Sequence, residues 1–204
     1  MSNGGYMSYY LACSMSDKIA AIASVTGAMS SFTQLNCNPT HPTPVMEIHG
    51  TADLTVPFND IVNGIEYWRD YNNCNLTADT TLILDSHLGD LSTVKHIVYN
   101  NGDNGVTTEL FKVINGGHTW PGSSISTAGT NYDIDASVEI WQFFSRYDIN
   151  GLIHIPTTVD ENVINEGKIV RIIDVLGRVT QKKNNILLFY IYDDGTVVKK
   201  MFLE

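Results

Sequence analysis

The sequence predicts an α/β fold in which helices flank a mostly parallel sheet, followed by a small all-β module. Two observations support this prediction. Over residues 1–148, apolar strand-like runs alternate with helical patterns, and strands that are connected through helices pair in parallel. From about residue 163 onward, β-forming residues alone dominate, which indicates a separate module.

Three segments have the pattern of helices. Residues 6–15 are apolar around most of the helix circumference, which indicates a buried helix. Residues 59–71 and 134–147 place apolar residues at helical spacing along one face. The candidate N-caps are Asn59 or Asp60 for the former and Asp133 or Asp135 for the latter.

Four apolar runs have the pattern of strands: residues 19–26, 45–49, 94–99 and 107–114. The last two are separated by a turn sequence rich in Asn and Gly, which predicts a hairpin. Because the carboxyl ends of parallel strands meet at one edge of a sheet, the loops that follow these strands are expected to form a site.

The charge distribution agrees with a division into two modules. Residues 1–162 contain 5 Lys/Arg and 17 Asp/Glu, whereas residues 163–204 contain 7 and 5. We therefore predict a main domain over 1–148, a linker over 149–162 and a β-rich module over 163–204. The acidic main domain argues against a nucleic-acid partner, and no apolar run is long enough to span a membrane.

The three cysteines, Cys13, Cys37 and Cys74, have no zinc-binding spacing. A disulfide between Cys37 and Cys74 is favoured, because Cys13 falls within a predicted helix. No pair of histidines has metal-ligand spacing either. We therefore expect neither a metal nor another cofactor.

The first residues resemble a nucleophile elbow. Ser2 is followed by Asn3, Gly4 and Gly5, which matches all of the G-x-S-x-G pattern except its first glycine. Small neighbours permit the tight strand-to-helix turn that exposes the serine hydroxyl. Ser2 is therefore the candidate nucleophile, and the N–H of Asn3 would face the oxyanion. The alternative is a ragged N-terminus with a Ser-Gly linker.

Asp53 and His118 are the candidate partners of this serine. Asp53 lies four residues after the strand that ends at His49, where a triad acid must lie to orient a histidine. His118 follows a glycine pair after the strand 107–114, which suits a general base. Considered singly, each could be an ordinary loop residue. The order Ser, Asp, His is nevertheless that of the α/β-hydrolases.

The remaining histidines are predicted to be structural: His41, His49, His87, His96 and His154. Among them His49 competes with His118 as the base, but its position at the end of a strand favours a packed side chain.

Residues 1–148 resemble the polyhydroxybutyrate depolymerase and feruloyl esterase-like group of secreted α/β-hydrolases. The resemblance is carried by SNGGYMSYYLAC, KIAAIASVTGAM, PVMEIHGTADLTVPF and GGHTWPG. It implies a partial α/β-hydrolase fold, a serine esterase active on polymer or plant cell-wall esters (polyhydroxyalkanoate, feruloyl or acetyl), and a triad of Ser2, Asp53 and His118. It also implies that Trp120 lines the substrate-binding site.

Residues 163–204 resemble the C-terminal sorting domain of the type IX secretion system, through GKIVRIIDVLGRVTQ and LLFYIYDDGTVVKKMFLE. This resemblance implies the secretion machinery as a partner and a secreted or cell-surface location, with the signal peptide on a missing N-terminal part.

Whole α/β-hydrolases have several strands before the nucleophile, including the loop that supplies a second oxyanion N–H. We therefore expect this chain to be a truncated fragment that is inactive or poorly folded alone. Two other functions stay open: a serine peptidase of the dipeptidyl-peptidase type, and a non-catalytic surface-binding remnant.

Overall fold

The computed structural model describes residues 1–125, 127–153, 168–193 and 195–201. The chain forms two compact units, Met1–His154 and Ile155–Glu204. The first unit contains a five-stranded sheet with flanking helices, and the second contains a small antiparallel sheet. This confirms the predicted α/β fold with a mostly parallel sheet, flanking helices and a small all-β module.

The helices of the first unit are α1 (Asn3–Ser14), α2 (Ser31–Leu35), α3 (Phe58–Tyr71) and α4 (Ala136–Phe144). Its main sheet consists of β1 (Ile22–Val25), β2 (Val45–Gly50), β3 (Asp79–Leu82), β4 (Thr93–Tyr99) and β5 (Thr108–Ile114). The strand order is β1-β2-β5-β4-β3. The first three strands in this order run parallel, whereas β4 and β3 are antiparallel to their neighbours.

The predicted hairpin is confirmed, because β4 pairs antiparallel with β5 across the turn that follows Tyr99. Strand β3 was not predicted. All four of its residues are exposed, so it lacks the apolar alternation by which a half-buried strand is recognised. The five-residue helix α2 was also not predicted, because it is too short for a helical period; Ser30 caps it by accepting the N–H of Thr33 at 3.1 Å.

The sheet is covered on both faces by apolar side chains. On one face, Met46 and Ile48 of β2 pack with Phe111 of β5 and Phe143 of α4. On the other face, Val45 packs with Tyr9 of α1 and Trp68 of α3. Successive residues of β2 thus alternate between the α4 face and the α1/α3 face, as side chains along a strand must.

Two predicted boundaries were wrong. Helix α4 ends at Phe144, because the next residues form a two-stranded sheet of β6 (Tyr147–Asp148) and β7 (Gly151–Leu152). The predicted linker therefore begins inside a hairpin, and its residues 154–162, with His154, lie outside the described residues.

The N-caps also differ from prediction in one case. Asp135 caps α4 by accepting the N–H groups of Ser137 and Val138 at 2.8 and 3.3 Å. Helix α3, by contrast, begins after Pro57 without a side-chain cap. Asn59 and Asp60 lie within its first turn, because the helix starts directly after Pro57. The fixed φ of this proline suits the residue before a helix.

The predicted disulfide was wrong: Cys13 is bonded to Cys37, and Cys74 is a buried free thiol. Cys13 lies in the last turn of α1, and its Cα is 4.5 Å from that of Cys37 just beyond α2. Cys74 follows α3 and packs instead near Val106 and Thr108. A helical position did not exclude pairing, because the partner segment crosses the helix end.

The second unit is an antiparallel sheet of β8 (Ile169–Asp174), β9 (Leu187–Tyr192) and β10 (Val197–Met201), in the order β10-β9-β8. Leu188, Tyr190 and Tyr192 form its buried cluster. They alternate along β9, as the half-buried strand pattern predicts. Asp194, between β9 and β10 in the sequence, lies outside the described residues.

No helix within the described residues is both long enough and apolar enough to cross a bilayer.

Candidate active site

Ser2 lies between the end of β1 and the start of α1. Its backbone N–H donates to the carbonyl of Val25, the last residue of β1, at 2.9 Å. Its dihedral angles are φ 52° and ψ −123°, a left-handed conformation that costs a non-glycine residue about 1–3 kcal/mol. A strained serine directly before a helix matches the second half of a nucleophile elbow, the turn into the helix.

Small residues allow α1 to approach β1 closely. A Cβ added to Gly5 would lie 2.3 Å from Ser24 Oγ and 2.8 Å from the Cα of Gly27. Both distances are shorter than real Cβ contacts, so a side chain at position 5 would force α1 and β1 to shift apart. The second glycine of the Gly4-Gly5 pair therefore fixes the height at which α1, and with it Ser2, lies above the sheet.

Asp53 is buried in the loop that follows β2. Its Oδ1 accepts the N–H groups of Thr55 and Val56 at 2.8 and 2.9 Å. Its Oδ2 lies 2.7 Å from Nδ1 of His118. One carboxylate oxygen therefore fixes the loop, and the other is aimed at the candidate base.

His118 is partly buried in the loop that follows β5. Close backbone contacts join this loop to that of Asp53, because the N–H of Ala52 donates to the carbonyl of Gly116 at 2.9 Å. A Cβ on Gly50 would lie 2.2 Å from that same carbonyl oxygen. The glycines thus permit the two loops to meet.

The structure brings Asp53 and His118 into contact and places Ser2 at the end of the neighbouring strand. No hydrogen bond joins the Ser2 hydroxyl to His118 among the described residues. The Nδ1 contact fixes the orientation of the imidazole of His118 and leaves Nε2 available as a base. The three predicted residues thus follow or adjoin three adjacent parallel strands, β1, β2 and β5.

Asn3 and Trp120 have definite positions as well. Asn3 is the first residue of α1, and its N–H has no backbone acceptor in the described part of the chain. Trp120 is partly buried against the core on the α4 face. Its indole N–H donates to Ser137 Oγ at 3.2 Å, so one edge of this ring is already occupied.

Sequence reasoning missed a buried polar pair directly behind Asp53. His49 Nδ1 is 2.9 Å from Glu47 Oε1, and its Nε2 is 2.9 Å from the carbonyl of Val56. The same Nε2 lies 3.5 Å from Asp53 Oδ2. The predicted packing of His49 is confirmed, but its partner Glu47 was overlooked. The available signal was two polar residues spaced by two in an apolar strand, and therefore on one face.

Burial and mutual contact shift both groups of this pair. Burial raises the pKa of Glu47 above its ordinary value of 4.5, although the hydrogen bond to His49 opposes the rise. Burial by itself would lower the pKa of His49. The hydrogen bond and charge of Glu47, the Val56 carbonyl and the charge of Asp53 outweigh burial and raise this pKa above 6.5.

The other described histidines bond to groups outside the Asp53–His118 pair: His41 to Ser16 and Pro42, His87 to Ser86, and His96 to Glu109. No group of three or more His, Cys, Asp and Glu side chains in the described ranges is arranged to hold a metal ion.

A cavity of about 440 Å³ lies beside residues 127–130, the segment that supports the His118 loop. Its lining residues are His87, Leu88, Gly89, Asp90, Thr127, Gly129, Thr130 and Tyr132. The carbonyl of Gly129 accepts the N–H of Gly117, the residue before His118, at 2.9 Å. The cavity wall and the candidate base are therefore connected through one backbone hydrogen bond.

Residues 1–96 match the phospholipase/carboxylesterase family. The chain is also similar to the bifunctional acetylxylan esterase/xylanase XynS20E of Neocallimastix patriciarum, with 26% identity over 150 residues. That alignment covers 74% of this chain and 20% of the fungal protein. The chain thus spans about a fifth of the length of this relative.

The fold and these similarities support one class of protein, an esterase-type α/β-hydrolase.

Proposed function

We propose that the chain carries the Ser2–His118–Asp53 triad of a serine carboxylic-ester hydrolase. The observation that carries the proposal is the 2.7 Å contact between Asp53 Oδ2 and His118 Nδ1 at the carboxyl ends of β2 and β5. The left-handed backbone of Ser2, at the end of the adjacent strand β1, supports the assignment of the nucleophile.

In the proposed acylation step, Ser2 Oγ attacks the ester carbonyl carbon while His118 Nε2 takes the hydroxyl proton. The tetrahedral intermediate collapses, the carbon–oxygen bond to the alcohol breaks, and His118 returns the proton to the departing alcohol. Asp53 holds the imidazole and stabilises its charged form. Water then attacks the acyl-serine, with His118 as the base, and releases the acid.

The proposed oxyanion donor is the N–H of Asn3. It lies at the N-terminus of a 12-residue helix and lacks a backbone acceptor. Such amides carry partial positive charge and stabilise the negative oxygen that forms in the transition state.

For the substrate we propose esters on polymers or plant cell walls, namely acetyl, feruloyl or polyhydroxyalkanoate esters. The fungal relative is named as an acetylxylan esterase as well as a xylanase, which supports the acetyl case. The 440 Å³ cavity beside the His118 loop, with Tyr132 and His87 in its lining, offers aromatic and polar contacts for the body of such a substrate. Trp120, in the same loop as His118, is proposed to line the acyl side.

We further propose that the protein is secreted or displayed at the cell surface through its C-terminal β module and the type IX machinery. The Cys13–Cys37 disulfide supports export, because such bonds persist mainly in oxidising compartments.

Labelling with a fluorophosphonate probe tests the proposed nucleophile. The protein is prepared with Ser2 and with Ser2→Ala, in each case from the full reading frame that encodes residues 1–204. We expect the probe to label the Ser2 protein and the label to disappear in the Ser2→Ala variant. Absence of labelling in a protein that is folded by circular dichroism would overturn the proposal.

A substrate panel then separates ester from amide hydrolysis. We expect p-nitrophenyl acetate and acetylated xylan to be cleaved, and a dipeptidyl p-nitroanilide to be left intact. Faster cleavage of the anilide would favour a serine peptidase instead.

A further inference from the structure

The buried pair of Glu47 and His49 has no role in the proposed triad, yet it touches the triad acid. Both side chains are fully buried on the α1/α3 face of β2. Buried charged groups are costly, and they persist where partners satisfy them. Here every polar atom of the pair has a partner, including Glu47 Oε2, which accepts the hydroxyl of Tyr9 at 3.0 Å.

The hydrogen bonds restrict the protonation of His49. The Val56 carbonyl can only accept, so Nε2, at 2.9 Å, must carry a proton. Nδ1 faces a carboxylate oxygen of Glu47 at 2.9 Å. That contact contains one proton, which is either on His49, giving an ion pair, or on Glu47, giving a neutral pair.

Other groups around the pair favour the ion pair. Asp53 Oδ2 lies 3.5 Å from His49 Nε2 and supplies a second negative charge. The Tyr9 hydroxyl donates to Glu47 and stabilises its ionised form. Lys112, the register neighbour of His49 on β5, is the opposing positive charge. Its ammonium lies over the ring of Phe58, which packs edge-on against His49.

Tyr6 of α1 and Asp60 of α3 are two further ionisable groups in this environment. Burial raises the pKa of the Tyr6 phenol most, and the charges of Asp60, Glu47 and Asp53 raise it further. Tyr6 therefore stays neutral beside the pair at ordinary pH, and the negative charges outnumber the positive charge of Lys112.

We propose that Glu47 and His49 form a buried ion pair whose imidazolium positions Asp53 and holds a positive charge beside the oxygen that Asp53 presents to His118. Two contacts do this. His49 binds the Val56 carbonyl, while the Val56 N–H binds Asp53 Oδ1. His49 Nε2 also faces Asp53 Oδ2 directly. Both are positioning residues, a role that rests on the proposed function, whereas the ion pair itself does not.

The positive charge has a consequence for catalysis. His49 and His118 approach the same oxygen of Asp53, so the charge of His49 acts on the carboxylate that orients the proposed base. Removing that charge should move the acid limb of the kcat/KM profile upward by about half a pH unit.

The ion pair is tested without any enzyme assay, by nitrogen NMR of histidine-labelled protein near pH 7. The His49 ring signals are assigned in the wild-type protein through bonds from the His49 backbone. We expect both ring nitrogens of His49 to be protonated. A neutral ring protonated at Nε2 alone would overturn the proposal, and the wild-type spectrum decides this even if variants fold poorly.

The positioning role is tested with Glu47→Gln, which keeps the shape and the bond to Tyr9 but cannot supply the negative charge. We expect His49 to become neutral and the acid limb for p-nitrophenyl acetate to rise by about half a pH unit, with KM changed less than kcat. Glu109→Gln is the matched control, because Glu109 is equally buried and bonds to His96 instead. Its acid limb should stay in place.

The outcomes distinguish the two proposals. An unmoved acid limb in an active, folded Glu47→Gln variant would contradict the positioning role. If the folded protein hydrolyses no ester while His49 is an imidazolium, the proposed function and the positioning role fail, and the ion pair stands.

Discussion

Two buried carboxylates on the same sheet, Glu47 of β2 and Glu109 of β5, have opposite electrostatic settings. Glu109 bonds to Arg146, His96 and Thr107. Burial opposes its ionisation, but these partners outweigh burial and hold the pKa of Glu109 below 4.5. Glu47 bonds to His49 and to the Tyr9 hydroxyl and has no permanent cation among these two partners, and burial raises its pKa.

The difference lies in the cation that each carboxylate faces. Glu109 has a permanent cation, since the guanidinium of Arg146 does not deprotonate in proteins. It joins β5 to the residues after α4 through Arg146, and through Thr107 to Tyr147. Glu47 depends on a titratable partner and lies one contact from Asp53. The pair whose charge depends on pH therefore lies beside the carboxylate that the proposed function assigns to the triad.

The largest effect is expected on activity, when the carboxylate beside the Glu47–His49 pair is replaced. Asp53→Asn should lower kcat/KM for p-nitrophenyl acetate about 10³–10⁴-fold, because an amide cannot hold His118 in the required tautomer. Glu109→Gln, assayed at a temperature where both variants are folded, should change it by less than about threefold. A loss below tenfold in Asp53→Asn would remove Asp53 from the triad.

The next effect concerns α1, which carries Tyr9 and covers Glu47 but not Glu109. Cys13→Ser should lower the free energy of unfolding by about 3 kcal/mol, because the disulfide closes a loop with a sequence separation of 24. Urea titration measures the change. Reductant should destabilise the wild-type protein similarly and leave the variant unaffected; an equal response of both would refute the assignment.

Glu109→Gln should lower the free energy of unfolding by about 2 kcal/mol near pH 7, since it removes charged hydrogen bonds from a buried site. Half-exposed Arg146 keeps the loss below that of a fully buried pair. The folded pKa of Glu109 is depressed, so its contribution is present above 4.5 and is lost as pH falls through the lower folded value.

The pH dependence of the other cluster has the opposite sign. The folded pKa of His49 is raised, so its contribution is complete below 6.5 and is lost as pH rises through the higher folded value. Stability of wild type and of His49→Gln, compared from pH 4 to 9, should therefore converge in alkali. If the stabilities of wild type and Glu109→Gln converged in alkali instead, the two carboxylates would have the opposite of the settings described here.

The smallest effect is expected for Gly5→Ala. Crowding against Ser24 and Gly27 costs about 1–3 kcal/mol, and the better helix propensity of alanine offsets about 0.5–1 kcal/mol. A net loss of about 1 kcal/mol in thermal unfolding should follow. Gly4→Ala is the control, since its added Cβ would meet nothing within 4 Å; equal losses in both would argue against the close contact of α1 and β1.

The long periodic elements could be predicted from sequence because their own residues decide them. Helix α3 and the strands β2, β4 and β5 lie within a residue or two of the predicted ranges. Exposed β3 and short α2 carry too little pattern to be recognised. The disulfide required knowledge of which segments cross, and sequence spacing does not contain that information.

The same division holds at the candidate site. The glycine-rich turns around Ser2 and His118 and the position of Asp53 after a strand could be predicted from sequence, because backbone freedom and strand ends are local properties. The 2.7 Å contact of Asp53 with His118 and the burial of Glu47 and His49 behind it could not, because they arise from packing in three dimensions. Such contacts depend on the packing of β2 against β5 and of α1 over β2, which bring together residues far apart in the chain.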